Sequence, residues 1–379
     1  MITSHSNRYS CQIQDTSSAS VQYAVSLFPV MNFKKFSLAM ISSRASVSQD
    51  VKRIARIIES PECKSILVLT GAGISCASGI PDFRSPGGMY DTLKPDLITA
   101  TSSQRKLMEM DPSFVVEKSM FFQNAFPYLE VRRPFILGTQ ELKWKATIAH
   151  RFIELLHTKT AKLTRHYTQN IDGLISQCAE LPSKKTVDVH GTTCEVCCEN
   201  CGADVDFSDF CNEVRSKIKD IYRQDNNAPT ESSPIQCKAC RKATVKPKTV
   251  LFGSCLPDEF FSCCQQDLEN ADLLIVAGTS LVVSPANSLV YNVNENCKRV
   301  VVNTEKVGEE LGIVYNGDET NRDIFAQGSC DEIFLELADA LGWMDELQLA
   351  VEKLPKPSRD LLEMKIESKT KLEQGHGGK

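Results

Sequence analysis

Four of the sixteen cysteines in this 379-residue chain fall into two close pairs, Cys198 with Cys201 and Cys237 with Cys240, each spaced C-x-x-C and separated by 35 residues. Such a turn presents two thiolates to one ion, and two turns brought together make the tetrahedral four-sulfur site that zinc favours. A site closed by four sulfurs leaves no position for a substrate, so its work is structural. The first pair has a second possible register, because Cys194 and Cys197 are also spaced C-x-x-C. Cys76, Cys178, Cys211, Cys255, Cys263 and Cys264 read as free thiols.

A second constellation is the stretch "GAGISCASGIPDFRS", Gly71 to Ser85, directly after the apolar run "SILVLT". Gly71 and Gly73 allow a tight turn at a strand end and a close approach to a phosphate, whose charge a following helix N-terminus favours. The third glycine, Gly79, is too distant for the usual dinucleotide fingerprint, and no acid stands convincingly about 20 residues on, which counts against a conventional dehydrogenase. A third is "VDVHG", which sets His190 at the end of a β-branched run, where a general base would be useful. His150, His157, His166 and His376 lack a comparable motif, and His5 lies in the N-terminal segment.

These groups need elements to hold them. Candidate buried strands are "SILVLT", "RHYTQN", "KTVLFG", "DLLIVAGTSL" and "RVVVN". Helical spacing of apolar residues lies between them, as in "ATIAHRFIELL" (Ile148, Phe152, Leu155) and "DEIFLELADALGW" (Ile333, Leu337, Leu341). Alternation of this kind predicts an α/β fold, a parallel sheet with helices on both faces. Ligands of such sheets bind beyond the carboxyl ends of the strands. The motifs "TGAG", "TQNIDG", "FGSC", "AGTS" and "VNTE" all stand at such ends.

Composition bounds the rest. A net charge of -5 argues against a broad nucleic-acid-binding face, and no apolar run approaches the ~18 residues of a membrane span. Residues 1–48 hold twelve serines and four basic residues (Arg8, Lys34, Lys35, Arg44) against one acid, Asp15. That bias is expected of a mitochondrial targeting segment, with a disordered tail and a cytoplasmic or nuclear protein as the alternative. Residues 344–379, charge-dense and broken by Pro355 and Pro357, read as a short helix or a solvated tail.

Taken in order, "GAGISCASGIPDFRS", "YTQNIDGL", "VHG", the paired C-x-x-C motifs, "VKPKTVLFG", "AGTSLVVSPA" and "VVNTE" resemble the sirtuins, NAD-dependent protein lysine deacetylases, over roughly residues 50–343. The resemblance implies a Rossmann-like catalytic domain with a helical insertion near 90–150 and a zinc module near 192–246. It also implies that Gly71, Ala72, Gly73, Ser75, Asp82, Phe83 and Arg84 line the NAD site. Gln169, Asn170, Ile171 and Asp172 would hold the nicotinamide ribose and carboxamide. Gly278, Thr279, Ser280, Asn303, Thr304 and Glu305 would contact the adenosine half, with Cys330 near the adenine.

By the same resemblance His190 is the general base, acting with Asn170 and Asp172, and the zinc ligands are Cys198, Cys201, Cys237 and Cys240. The substrate would be an acetylated protein segment entering as an extended strand beside "VLFG". Where the family usually has Glu after "FG", this chain has Ser254 and Cys255. Rival readings are a protein ADP-ribosyltransferase, another deacylase, or a non-catalytic NAD- or zinc-based interaction module.

Overall fold

The fold was obtained as a computed structural model, in which residues 48–80, 88, 90–315 and 321–376 are described. Asp82, Phe83 and Arg84, and the Ser-rich residues 1–47, lie outside the described residues.

Six parallel strands form the main sheet: β1 (Ile66–Thr70), β2 (Leu163–Thr168), β3 (Thr186–Asp188), β7 (Leu273–Ala277), β8 (Lys298–Asn303) and β9 (Asp323–Gln327). Their order across the sheet is β3-β2-β1-β7-β8-β9. Counted within this sheet the order is 3-2-1-4-5-6, that of a doubly wound dinucleotide-binding fold, so the connections diverge between β1 and β7 and leave a crevice there.

The strand residues divide by parity because successive side chains point to opposite faces. Ile66, Val68, Leu273, Ile275, Val300 and Val302 pack on one side, under the helices Gln49–Glu59, Ile148–Thr160 and Cys330–Ala340. Leu67, Leu69, Leu274, Val276 and Val301 pack on the other, under Asp258–Glu269 and Ser288–Asn292. Burial on both faces explains why these strands read as continuous apolar runs. Phe152 stacks on Phe334 with ring centroids 4.8 Å apart, joining two of the helices on the first face.

A second core unites the helices Ser102–Met110, Lys118–Gln123, Phe126–Gln140 and Phe207–Lys217 with an antiparallel sheet of order β5-β4-β6, where β4 is Gly191–Cys198, β5 Asp204–Val205 and β6 Val245–Thr249. Phe121, Tyr128, Leu129, Val196, Phe210 and Val245 meet in it. The helical stretch and the cysteine-bearing stretch, far apart in sequence, therefore bury one another.

Two expectations change. "KTVLFG" is not a strand of the parallel sheet: β6 stops at Thr249 and pairs antiparallel with β4. Beyond it, Phe252 makes a single bridge to Glu117. The helix expected after the first glycine is present as a 3₁₀ helix, Ala72–Ser78. The C-terminal stretch forms a helix of 21 residues, Lys356–His376, and it is packed: Leu354, Ser358 and Leu362 are fully buried.

Candidate active site

The turn after β1 and the turn after β7 touch backbone to backbone. Gly71 N–H donates to the Ala277 carbonyl at 3.0 Å and Gly73 N–H to the Gly278 carbonyl at 2.8 Å. A Cβ on Gly73 would stand 2.5 Å from the Gly278 α-carbon, and one on Gly71 2.7 Å from Thr279 Cβ. The glycines are thus required by the closeness of two loops, and their amides are engaged by protein carbonyls.

The turn after β2 carries the polar groups. Asn170 Nδ2 donates to Ser75 Oγ at 3.1 Å, and Ser75 Oγ donates to Asp172 Oδ2 at 2.6 Å. The other Asp172 oxygen accepts the Leu174 amide at 3.0 Å. Burial pushes the Asp172 carboxyl above its ordinary range, opposed by these two hydrogen bonds.

Gln169 links both ends of the crevice. Its backbone oxygen lies 2.9 Å from His190 Nδ1, and its side-chain Oε1 accepts the Thr279 hydroxyl at 2.9 Å. A carbonyl can only accept, so Nδ1 carries the proton and the lone pair of the neutral ring lies on Nε2. The Gln169 Nε2 donor is buried without a partner among the described residues. His190 itself sits between β3 and β4, held by Val250 N–H on its carbonyl at 2.8 Å. Gly191, at φ 74°, lets the chain turn there, since a Cβ would collide with the Lys248 carbonyl at 1.8 Å.

Two of the competing histidines are disqualified by burial. His150 and His166 are both pushed down to about 3 and stay neutral, His166 Nε2 bonded to Thr70 Oγ1 at 2.8 Å and His150 Nδ1 near the Thr147 hydroxyl at 2.9 Å.

A cavity of about 600 Å³ opens over the β1 and β2 ends, lined there by Ala72, Ser75, Asn170, Ile171 and Asp172 and opposite by Val131, Arg132, Phe135, Trp144 and Tyr222. His190, Gly278, Thr279, Ser280, Asn303, Thr304, Glu305 and Cys330 do not line it. Asn303 Nδ2 donates to the Thr279 carbonyl at 3.1 Å, tying the β8 end to the β7 loop, while Ser280, Thr304 and Glu305 are exposed. Cys330 begins the helix Cys330–Ala340 and is buried in the core, its thiol pushed up by burial. The opposite wall, with Arg132, Trp144 and Tyr222, escaped sequence reading because nothing in local spacing marks it.

Cys198, Cys201, Cys237 and Cys240 converge, with all four sulfurs within 4.8 Å of one another. The Cys198–Cys240 and Cys201–Cys237 separations are 3.6 and 3.7 Å. A tetrahedron with Zn–S bonds of about 2.3 Å has edges of about 3.8 Å, so the set fits zinc. The two turns share one construction: Gly202 N–H returns to the Cys198 carbonyl and Arg241 N–H to that of Cys237, with positive φ at both Gly202 and Arg241. Cys194 packs against Gly173 and, like Cys197, stands outside the cluster, which resolves the register.

Residues 71–285, more than half of the chain, match the family model described as the Sir2 family. The chain belongs to the Sir2 family. Among sirtuins it is 35% identical over 305 residues to "NAD-dependent deacetylase sir2A" of Dictyostelium discoideum, a match covering 80% of this chain and 54% of that protein. It is 33% identical to "NAD-dependent protein deacetylase sirtuin-2" of Danio rerio, covering 86% of this chain and 80% of the relative. With "NAD-dependent protein deacetylase hst2" of Schizosaccharomyces pombe the identity is 32%, covering 80% of each. The chain thus spans about half the length of the Dictyostelium sirtuin and four fifths of the other two.

Proposed function

We propose that this sirtuin removes acetyl groups from protein lysines with NAD as co-substrate, and that its cysteine cluster holds one structural zinc ion. The observation that carries the reading is the double role of Gln169, whose main chain fastens His190 and whose side chain reaches Thr279 while keeping one buried donor without a protein partner. A buried amide donor is costly unless a ligand accepts from it.

Bound NAD supplies a ribose carbon made electrophilic by nicotinamide as leaving group. The chain's own groups do the positioning and the proton transfer. Asn170, fixed by Ser75, presents its amide in the cavity, and Asp172 holds Ser75 in turn. His190, kept in the Nδ1–H tautomer by Gln169, takes a proton from a ribose hydroxyl at Nε2, a contribution of about 10²–10⁴-fold. Gly278, Thr279 and Asn303 order the crevice for the adenosine half. Zinc takes no part, its four thiolates instead holding β4 to the turn before β6.

Docking of substrate beside "VLFG" needs one refinement. Phe252 already gives its N–H to the Val116 carbonyl and its own carbonyl to Lys118 N–H, so strand addition there falls to its neighbours. The Ser-rich N-terminal composition supports mitochondrial delivery, which a fluorescent fusion with and without residues 1–48 tests.

The deciding experiment incubates the protein with NAD and an acetyl-lysine peptide and follows nicotinamide and peptide mass. Equal yields of nicotinamide and deacetylated peptide, both lost in His190→Ala, are expected. A ribosylated peptide, or deacetylation without NAD, overturns the reading.

A further inference from the structure

Beside the nucleotide cavity lies a second concavity, of about 380 Å³, on the other side of the 3₁₀ helix Ala72–Ser78. Gly79 and Lys143 line both. Among the described residues its charged lining is wholly cationic, comprising Lys143, Lys145, Lys356 and Arg359. The nearest carboxylates neutralise it incompletely. Lys356 pairs with Asp360, and Arg359 lies 3.7 Å from Glu352, whose side chain is 86% exposed and so is well screened. Lys145 Nζ donates to a carbonyl, that of Glu352, at 3.0 Å, and Lys143 lies over the Trp144 ring.

Three further features point the same way. Arg359 Nε is buried with no hydrogen-bond partner among the described residues. The 21-residue helix Lys356–His376 starts at this wall, where its positive dipole end adds to the cationic field, although Pro357 has no N–H and the Arg359 N–H is given to the Pro355 carbonyl at 3.0 Å. The helix cannot swing away freely, because Ser358 is buried against the Asp331 carboxylate and Leu362 against the core. The cations are thereby held around a formed concavity.

We propose that this concavity is a second binding site, distinct from the nucleotide cavity, for a compact phosphate-bearing anion such as a mono- or diphosphate. Arg359 offers a fork for two phosphate oxygens, and the lysines add point charge. Occupancy is transmitted to the nucleotide turn through Ser78, whose hydroxyl donates to the Lys145 carbonyl at 2.7 Å and accepts the Lys145 amide at 3.0 Å. That last step rests on the proposed function, whereas binding does not.

The test is calorimetric titration of the full chain with inorganic pyrophosphate at low ionic strength, with and without saturating NAD. One pyrophosphate per chain is expected in both conditions. Arg359→Gln and, from a different element, Lys145→Glu should each weaken binding about tenfold or more. Lys106→Glu, an exposed charge reversal in the helix Ser102–Met110, should leave it unchanged. Circular dichroism confirms that each variant is folded. Absence of binding in the wild type, equal weakening by Lys106→Glu, or abolition by NAD with no effect of Arg359→Gln overturns the proposal. The peptide assay above is scored separately, so failure of one claim is distinguishable from failure of the other.

Discussion

Ser75 Oγ donates to Asp172 Oδ2 at 2.6 Å, and this one hydrogen bond joins the turn after β1 to the turn after β2. Because Ser75 also accepts from Asn170, it stands between an amide facing the cavity and a carboxyl buried beneath it. Ser75→Ala removes the donor to Asp172 and the acceptor for Asn170 together. The expected cost is about 1–3 kcal/mol in urea unfolding, with a fall in NAD-dependent turnover. Unchanged stability and turnover would show the link to be incidental.

Gly73→Ala tests the backbone contact between the β1 and β7 turns. The added methyl meets the Gly278 α-carbon at 2.5 Å, and neither is the flexible end of a side chain. The loops must part, at a cost of about 1–3 kcal/mol. Calorimetry should show NAD affinity reduced more than thermal stability, because the strain sits at the crevice. Gly79→Ala meets no atom of the described residues within 4 Å, so its left-handed backbone at φ 81° is what should be felt.

Asp188 gives a pH signature. Burial first, then the charges of Glu195 and Glu259, push its carboxyl up from 3.8 to about 6. A group with a raised folded value stabilises most when protonated, so its contribution is complete below about pH 3.8 and is lost as pH rises through about 6. Asp188→Asn should therefore gain on the wild type by roughly 1–3 kcal/mol at pH 7, and the gain should shrink towards pH 4. Urea midpoints across that range measure it, and a pH-independent difference refutes the assignment.

Metal content separates the two cysteine registers. Cys237→Ser and Cys201→Ser should abolish stoichiometric zinc and lower the melting temperature, whereas Cys194→Ser and Cys197→Ser should retain one zinc per chain. Elemental analysis with a thermal melt reads both. Chelation should destabilise the fold around β4 and β6 and not merely slow turnover.

What could be read from residue order was whatever a few neighbouring residues settle between themselves. Apolar runs such as Ile66–Thr70 and Leu273–Ala277 announce buried parallel strands because both faces must be apolar. The C-x-x-C pairs announce a metal because two thiols on one turn chelate. The run "KTVLFG" misled, since the strand that enters it, β6, pairs with β4, a partner some fifty residues away in sequence.

Only the folded chain decided what distant segments do together. The placement of β1 beside β7, about two hundred residues later, turns Gly71 and Gly73 from permissive residues into required ones. The docking of Ser358 on Asp331 makes a charged C-terminal stretch one wall of a concavity, and the carbonyl of Gln169 selects the tautomer of His190. Local spacing carries hydrogen-bonding and burial periodicity, whereas these contacts exist only once the loops between them have closed, a step governed by the whole core.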